Sequence, residues 1–287
     1  MGSFQLHGAT VARVNNGVDL ATVLAPRPYL HPLRTLAGAP LTEAGPDDHP
    51  HHLGLSLAFS DVNGSNFWGG STYTGHGPAL LANHGRQVPS GWSYQPGKAG
   101  GTVTWMDMKG QELATEQRNY TCQDHPDPNS WSLLFDSLIQ PAGDVEQLWV
   151  SSSAVKGREG AGYGGIFWRF PTGDGPAGVL CSQGTGTETA HGSLSPWLVV
   201  KTRQHGRDVS VVLAQNPAEL RPWFVRTEGY VGAGPAVAWS EAARVDRNRP
   251  LQLSLHAIIH DGHISSSHHV EELLLQHFSS SSPDRTP

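Results

Sequence analysis

The alternation of apolar and polar side chains most constrains the fold of this chain. Near the C-terminal end, Leu251, Leu253 and Leu255 are separated by Gln252 and Ser254. Successive side chains of a β-strand point to opposite faces, so a period of two predicts strands with one buried face. The alternation predicts strands at residues 4–14, 101–108, 112–122, 131–140, 145–155, 197–202, 209–215 and 251–260.

Turn residues separate these segments. Tight turns are predicted at residues 15–17, 109–111, 141–144 and 204–207, and we expect the strands that flank the last three to pair as hairpins. Glycine (34 of 287 residues) and proline (21) are abundant enough to supply many such turns. The pattern predicts an all-β protein built as a large two-sheet antiparallel β-sandwich.

One helix is predicted, near the C-terminal end. Leu273, Leu274 and Phe278 have helical spacing within residues 270–278, and Glu271 and Glu272 lie in the first turn, where the helix dipole favours anions. No linker or change in composition divides the chain, so we expect a single domain over residues 1–278. The serine-rich segment 279–287 is predicted to be a disordered tail.

Charge and hydropathy exclude several classes of partner. Charged residues make up 15% of the chain, the net charge is −6, and no basic stripe occurs, which argues against nucleic acid and favours a small, mildly polar molecule. No segment approaches the roughly 18 apolar residues of a membrane span, and residues 1–20 lack the apolar run of a secretory signal. We therefore expect a soluble, cytoplasmic protein with Cys122 and Cys181 as free thiols; a homodimer is left open.

A histidine-rich segment, Asp48-His49-Pro50-His51-His52, lies where the alternation weakens, between residues 40 and 101. Long irregular stretches inside a compact β-domain are more often functional than not. In an extended segment, His49 and His51 would share one face, with Asp48 and His52 on the other. We therefore expect the site in this stretch.

Three roles are open for these histidines. General acid–base catalysis, with one imidazole oriented by Asp48, is the preferred interpretation, and it requires no cofactor. The alternative cofactor is a divalent metal ion held by His49 and His51, with a third ligand from Glu116, His191 or His260. In a purely structural role, the histidines would bond buried loop carbonyls.

Further candidate site residues flank the histidines. Upstream, prolines stiffen the segment that carries Arg27 and His31, which suits a fixed presentation of both; a solvated edge strand explains it equally well. Downstream, Asn63 and Trp68 combine an amide with an aromatic plate, as sugar-binding clefts do. For Trp68 alone, a core position is the simpler interpretation.

Arg169 stands between Trp168 and Phe170 in a predicted strand, so its side chain would face away from both rings. It would either enter a cleft as a ligand for an anion or a hydroxyl group, or pair with Glu116. A salt bridge at the edge of the sandwich explains the pattern equally well.

Several of these segments resemble a known bacterial family. Residues 27–34 (Arg-Pro-Tyr-Leu-His-Pro-Leu-Arg), 48–52 (Asp-His-Pro-His-His) and 61–64 (Asp-Val-Asn-Gly), followed by Phe67 and Trp68, are similar to the PmoA-like family, labelled methane oxygenase PmoA. The segment with Glu116 and Arg118, the strand that ends at Arg169 and residues 216–223 resemble its later landmarks. The resemblance implies a β-sandwich of the galactose mutarotase supersandwich kind and, by analogy, carbohydrate chemistry.

The leading hypothesis is an enzyme that acts on a sugar, a keto-sugar glycoside or a polyhydroxylated natural product by proton transfer, as an epimerase, lyase or hydrolase does. The expected catalytic residues are Asp48 as orienter and, as acid and base, His31, His49, His51 and His52. The expected substrate-binding residues are Arg27, Asn63, Trp68, Glu116, Arg118 and Arg169. Among them, an arginine would stabilise an oxyanion and Trp68 would form the platform under the substrate. The alternatives are a metal-dependent oxygenase or hydrolase that uses His49 and His51, and a non-catalytic carbohydrate-binding sandwich.

Overall fold

The predicted β-sandwich with a C-terminal helix is confirmed by the structure, a computed structural model that describes residues 2–280. In chain order the strands are β1 Gly2–Leu6, β2 Ala9–Asn15, β3 Tyr29–Leu33, β4 Leu55–Ala58, β5 Asp61–Val62, β6 Thr72–Tyr73, β7 Pro78–Ala79, β8 Arg86–Gln95, β9 Lys98–Met106, β10 Glu112–Asp124, β11 Ser130–Pro141, β12 Gln147–Ser151, β13 Gly165–Arg169, β14 Gly178–Cys181, β15 Gly184–Thr185, β16 Trp197–Gln204, β17 Arg207–Ala214, β18 Trp223–Arg226, β19 Gly232–Pro235, β20 Ala243–Asp246 and β21 Leu251–Asp261. The helices are a 3-10 turn at Thr22–Leu24, α1 at Thr187–Ala190 and α2 at Ser267–Ser280.

Two antiparallel sheets form the sandwich. One has nine strands in the order β15-β14-β16-β17-β21-β11-β10-β9-β8, and the other has seven in the order β1-β2-β3-β4-β13-β19-β18. Their inner faces share one hydrophobic core, in which Leu55 and Trp168 of the seven-stranded sheet join Trp131 and Phe135 of the nine-stranded sheet. Full burial of each such side chain contributes on the order of 2 kcal/mol, so this core is the main source of stability.

Alternation along the strands decides which side chains reach the core and which reach the opposite face. On β13, Ile166 and Trp168 belong to the inner core, whereas Phe167 packs in a separate cluster on the outer face. This outer cluster also contains Trp68 and Phe224, with Tyr230 packed against it. The outer face of the seven-stranded sheet therefore carries an aromatic floor.

The outer face of the nine-stranded sheet is covered differently. Helix α2 lies on it, with Val270 and Leu273 packed against Trp197, Val212 and Ile258. The helix begins at Ser267, ahead of the predicted residue 270. Of the predicted tail, residues 281–287 lie outside the described residues. In the described part of the chain, no helix is both long and apolar enough to cross a membrane.

The strand pattern is corrected in two places. Residues 4–14 form a hairpin, β1 and β2, rather than one strand, because His7 and Gly8 adopt left-handed conformations (φ 51° and 79°) that close a tight turn. The predicted hairpin across residues 141–144 is also wrong: β11 pairs with β10 and β21, whereas β12 pairs with β20 and β5. A turn in which the Val145 amide donates to the Ala142 carbonyl redirects the chain there. The hairpins β9–β10 and β16–β17 are confirmed.

Candidate functional site

A cavity of about 950 Å³ lies on the outer face of the seven-stranded sheet. Its walls come from the histidine segment, from α1 and the residue that follows it, and from the loops before β13 and after β18. The side chains that matter for its chemistry are Asp48, His49, His51, His52, Trp68, Arg158, Glu159, Tyr163, Glu188, His191, Phe224, Arg226, Glu228 and Tyr230. The irregular stretch after residue 40, where the site was expected, therefore forms part of the wall of a large cavity.

The histidine segment is not extended. The His49 amide donates to the Pro46 carbonyl (3.0 Å) and the His52 amide donates to the His49 carbonyl (2.9 Å), so two turns follow each other. Because of these turns, all three imidazoles converge instead of alternating between two faces. The ring centroids of His49 and His52 are 4.6 Å apart, and those of His51 and His52 are 4.8 Å apart.

Asp48 and His49 form a carboxylate–imidazole pair. The His49 Nδ1 lies 2.7 Å from the Asp48 Oδ2. This hydrogen bond, together with the nearby Arg169, lowers the pKa of Asp48, which is ionised at neutral pH. An ionised carboxylate accepts, so Nδ1 carries the proton and Nε2 is the nitrogen that can take a proton from a ligand.

His52 is held neutral beneath this pair. Arg169 Nη1 lies 3.3 Å from His52 Nδ1, and since a guanidinium only donates, Nδ1 accepts and Nε2 carries the proton. Burial, reinforced by His51, His49 and the nearby arginines, lowers the pKa of His52 to about 2. Arg169 is itself fixed by Glu43, whose Oε2 accepts from Nε (3.0 Å) and Nη2 (2.7 Å).

His51 is the second neutral imidazole. Burial, and then Arg27 and His49, lower its pKa to about 4. Its ring packs so closely on the chain at Gly69 and Gly70 that a Cβ at Gly70 would lie 2.8 Å from the ring. Both glycines also have positive φ (95° and 65°). Glycine is therefore required at these positions for two reasons, the lack of space for a Cβ and the backbone conformation.

Arg27 does not line the cavity; it supports the wall from below. The buried guanidinium donates to the carbonyls of Leu24, Ala25, Trp68 and His51, at 2.8 to 3.1 Å. Its Nε also donates to Ser56 Oγ at 3.2 Å. Burial and the charge of Arg118 lower its pKa. Arg27 thus joins the histidine segment to the backbone of Trp68, and it is buried away from the cavity lining.

Glu116 and Arg118 lie between the two sheets, away from the cavity. Arg118 donates to both Glu116 oxygens (2.7 Å each), to Gln87 Oε1 (2.8 Å) and to the Pro28 carbonyl (3.1 Å). Both side chains of the pair are 0% exposed. Arg169 does not pair with Glu116, because strand β13 turns it to the opposite face of its sheet.

Three further candidates have different surroundings. His31 bonds Thr42 Oγ1 (3.0 Å), and Asn63 bridges to the backbone of Gln147 and Trp149, so neither lines the cavity. Trp68 does line it, but it is only 6% exposed and packs against His52, Tyr163 and Phe167. Trp68 therefore offers an edge to the cavity rather than an open plate.

The sequence reasoning missed Tyr230 as a site residue. Its ring centroid lies 4.9 Å from those of both His49 and His52. The guanidinium carbons of Arg169 and Arg226 lie 4.8 and 5.2 Å from the ring centroid. In the sequence, Tyr230 ends a short run, Arg-Thr-Glu-Gly-Tyr at 226–230, that mixes charge with an aromatic residue, but nothing in this run indicates contact with the histidines.

His191 was considered only as a metal ligand. It lines the cavity through contacts with Phe224 and Trp239, and its Nε2 lies 3.0 Å from the Gly160 carbonyl. His260 lies on β21 of the other sheet, where it bonds Ser130. Among residues 2–280, no group of three or more histidine, cysteine, aspartate or glutamate side chains is arranged to hold a metal ion.

Comparison with known proteins corrects the family. No curated protein matches this chain. A family profile matches residues 3–274, and that family is described as a family of unknown function, DUF6807. The PmoA-like membership inferred from short runs such as Asp-His-Pro-His-His was therefore wrong; such runs cover few residues, whereas this match covers nearly the whole described chain. The chain belongs to DUF6807, a family of unknown function.

Proposed function

We propose that this protein is an enzyme that acts on a neutral, polyhydroxylated, carbohydrate-like small molecule by proton transfer, with His49 as the base. The observation that carries the proposal is the Asp48–His49 pair on the wall of the large cavity, with Nδ1 2.7 Å from the carboxylate. A base oriented by a carboxylate is the arrangement that general base catalysis needs.

The neighbouring imidazoles support this division of roles. His51 and His52 have pKa values of about 4 and about 2, so both are neutral at physiological pH. Neutral imidazoles donate and accept hydrogen bonds without adding charge beside the base. His49 would take the proton, while His51 and His52 would orient hydroxyl groups of the substrate.

The lining of the cavity supports the substrate class. Aromatic residues (Trp68, Tyr163, Phe224, Tyr230) contribute apolar surface, and carboxylates (Asp48, Glu159, Glu188, Glu228) accept hydrogen bonds from hydroxyl groups. The two arginines of the lining, Arg158 and Arg226, are outnumbered by these carboxylates, which disfavours a polyanion such as a nucleotide. A neutral sugar matches this mixture, and its reaction would be an epimerisation, an elimination or a hydrolysis.

The test is a screen of sugars, glycosides and keto-sugars in D₂O by proton NMR, followed by His49→Gln and Asp48→Asn on any substrate found. We expect each variant to lower kcat by about 10²–10⁴-fold with little change in affinity. His205→Gln, at the exposed turn between β16 and β17, is the matched control and should keep the wild-type rate.

A full wild-type rate in His49→Gln would contradict the proposal. Saturable sugar binding without any chemical change across the screen would instead favour a binding protein. A cytoplasmic location remains part of the proposal and is supported by the two free, buried cysteines, Cys122 and Cys181.

A further inference from the structure

Proton removal from carbon needs a second group that the proposed base alone does not provide. Electron density left by the departing proton must move onto an oxygen, and that oxygen needs a hydrogen-bond donor or a cation. The three arginines expected from the sequence are engaged elsewhere: Arg27 by carbonyls, Arg118 by Glu116 and Arg169 by Glu43. The donor must therefore come from another part of the cavity wall.

Tyr230 occupies the appropriate place. It lies in the connection between β18 and β19, and its ring touches the rings of both His49 and His52 at 4.9 Å between centroids. Among residues 2–280, no protein group is hydrogen-bonded to its hydroxyl, although the residue lines the cavity. A phenol whose ring packs against the base, and whose hydroxyl has no protein partner, is available to a ligand.

The charges around Tyr230 suit an oxygen that gains negative charge. Arg169 and Arg226 lie against its ring at 4.8 and 5.2 Å. Arg226 is exposed, lines the cavity and, within the described part of the chain, forms no ion pair with a carboxylate. Burial raises the pKa of Tyr230, so the phenol keeps its proton at neutral pH and acts as a donor.

We propose that the Tyr230 hydroxyl and the Arg226 guanidinium form an oxyanion site that binds the carbonyl oxygen of the substrate, opposite His49. This inference rests on the proposed function and narrows its substrate class to sugars that carry a ketone or an aldehyde. A carbonyl acidifies the neighbouring C–H bond, which a neutral imidazole is otherwise too weak a base to break.

The step balances within the site. His49 Nε2 takes the proton from the carbon next to the carbonyl, and the C–H electron pair forms the new C=C bond. The π pair of the carbonyl moves onto its oxygen, and this oxygen takes the proton of the Tyr230 hydroxyl. The substrate is then an enediol, His49 is protonated and Tyr230 is a tyrosinate. Arg226 stabilises the tyrosinate and the oxygen until the reverse step returns a proton to the carbon.

Binding tests the oxyanion site without any turnover. D-gluconate and D-glucitol have the same chain of carbons and nearly the same hydroxyls, but only gluconate offers a charged oxygen. We expect the wild-type protein to bind gluconate at least about tenfold more tightly than glucitol in calorimetric titrations at low salt. Tyr230→Phe and Arg226→Gln should each remove most of this preference, whereas Tyr94→Phe, on the exposed edge strand β8, should keep it.

Two results would overturn the inference: no preference for gluconate in the wild-type protein, including the absence of binding, or an unchanged preference in Tyr230→Phe. Circular dichroism and thermal unfolding of each variant show whether it is folded. Arg226→Lys keeps the positive charge and should retain part of the preference for gluconate. It therefore distinguishes loss of the charge from loss of the folded structure as the cause of the effect of Arg226→Gln.

Deuterium exchange at the carbon next to the carbonyl separates this inference from the proposed function. On a carbonyl sugar that the wild-type protein exchanges, Tyr230→Phe should lower the rate by about 10²–10³-fold. Exchange abolished by His49→Gln but unchanged in Tyr230→Phe would overturn the oxyanion site and leave the base in place. A gluconate preference lost in Tyr230→Phe, with exchange unaffected by His49→Gln, would support the oxyanion site and contradict His49 as the base.

Discussion

Two arginine–glutamate pairs in this molecule share their chemistry and differ in their surroundings. Arg118 and Glu116 are both 0% exposed, and the donors of Arg118 end on acceptors inside the sandwich. Arg169 is 3% exposed, but its partner Glu43 is 29% exposed, and the same guanidinium touches His52 and Tyr230. One pair is closed on all sides, and the other is partly open to solvent and contacts two residues of the cavity wall.

This difference distinguishes a charged pair that only stabilises the fold, Glu116 and Arg118, from one that also positions residues of the candidate site, Glu43 and Arg169. A closed pair contributes by avoiding the cost of leaving either charge alone in the core. An open pair is partly hydrated and costs less to break. Here it also positions two side chains that Arg169 contacts, His52 and Tyr230. The two pairs should therefore respond differently to the same substitution, with a large loss of stability at Glu116 and a smaller loss, together with a change at His52, at Glu43.

The largest effect is expected from Glu116→Gln. Removing the carboxylate charge leaves Arg118 uncompensated between the sheets, so the free energy of unfolding should fall by about 3–5 kcal/mol. Urea unfolding followed by tryptophan fluorescence measures it. Glu112→Gln, at the exposed start of the same strand, is the control and should change stability by less than about 0.5 kcal/mol. A loss as small as the control's would mean that the closed pair is not an important stabiliser.

Acid should destabilise the fold through the histidines above the open pair. The folded pKa values of His51 and His52, about 4 and about 2, lie below the unfolded value near 6.5, so the unfolded chain binds more protons. Their contribution is complete above about pH 6.5 and is lost as the pH falls towards 4, by up to about 1.4 kcal/mol per pH unit for each histidine.

Comparing His52→Gln with the wild-type protein isolates this term, because His256, His260 and His277 also have lowered pKa values and add to the background. The variant should show a shallower fall in unfolding free energy between pH 6.5 and 4. Identical slopes would show that His52 titrates normally and is not held neutral by its surroundings.

The sequence supports the architecture more fully than the site. Alternation predicted the sandwich and the hairpins β9–β10 and β16–β17, because a strand with one buried face has apolar residues at every second position of the local sequence. The same pattern could not distinguish Arg118 from Arg169, since both occupy alternate positions in a strand with an acidic residue available. Which face meets the core and which meets a cavity depends on how the two sheets pack.

The histidine segment lies on the cavity wall, but the sequence analysis predicted the wrong geometry for it. An extended segment would have separated His52 from His49, whereas two consecutive turns stack the two rings. Tyr230 contacts both rings from a position 178 residues after His52, and no local pattern encodes such a contact. Long-range packing completed the candidate site.

A smaller effect is expected when the open pair is broken. Glu43→Gln keeps an acceptor for Arg169 and removes only the charge, so we expect a loss of about 1 kcal/mol in unfolding free energy, well below that of Glu116→Gln. The sharper readout is the imidazole of His52 in nitrogen NMR. In the wild-type protein its Nδ1 should have the shift of an unprotonated acceptor, and in Glu43→Gln the two nitrogens should move towards a mixture of tautomers. A loss as large as that of Glu116→Gln would show that both pairs are structural.

The smallest expected effect is the response of the two pairs to salt. Mobile ions reach charges that face water and screen them over a Debye length of about 10 Å at 0.1 M, but they do not enter the core. In double-mutant cycles, the Glu43–Arg169 coupling should weaken by a few tenths of a kcal/mol between 0.05 and 0.5 M NaCl. The Glu116–Arg118 coupling should stay constant within error, because neither side chain is exposed. Equal salt dependence in the two cycles would place both pairs in the same dielectric surroundings, and the contrast between a closed and an open arginine would then fail.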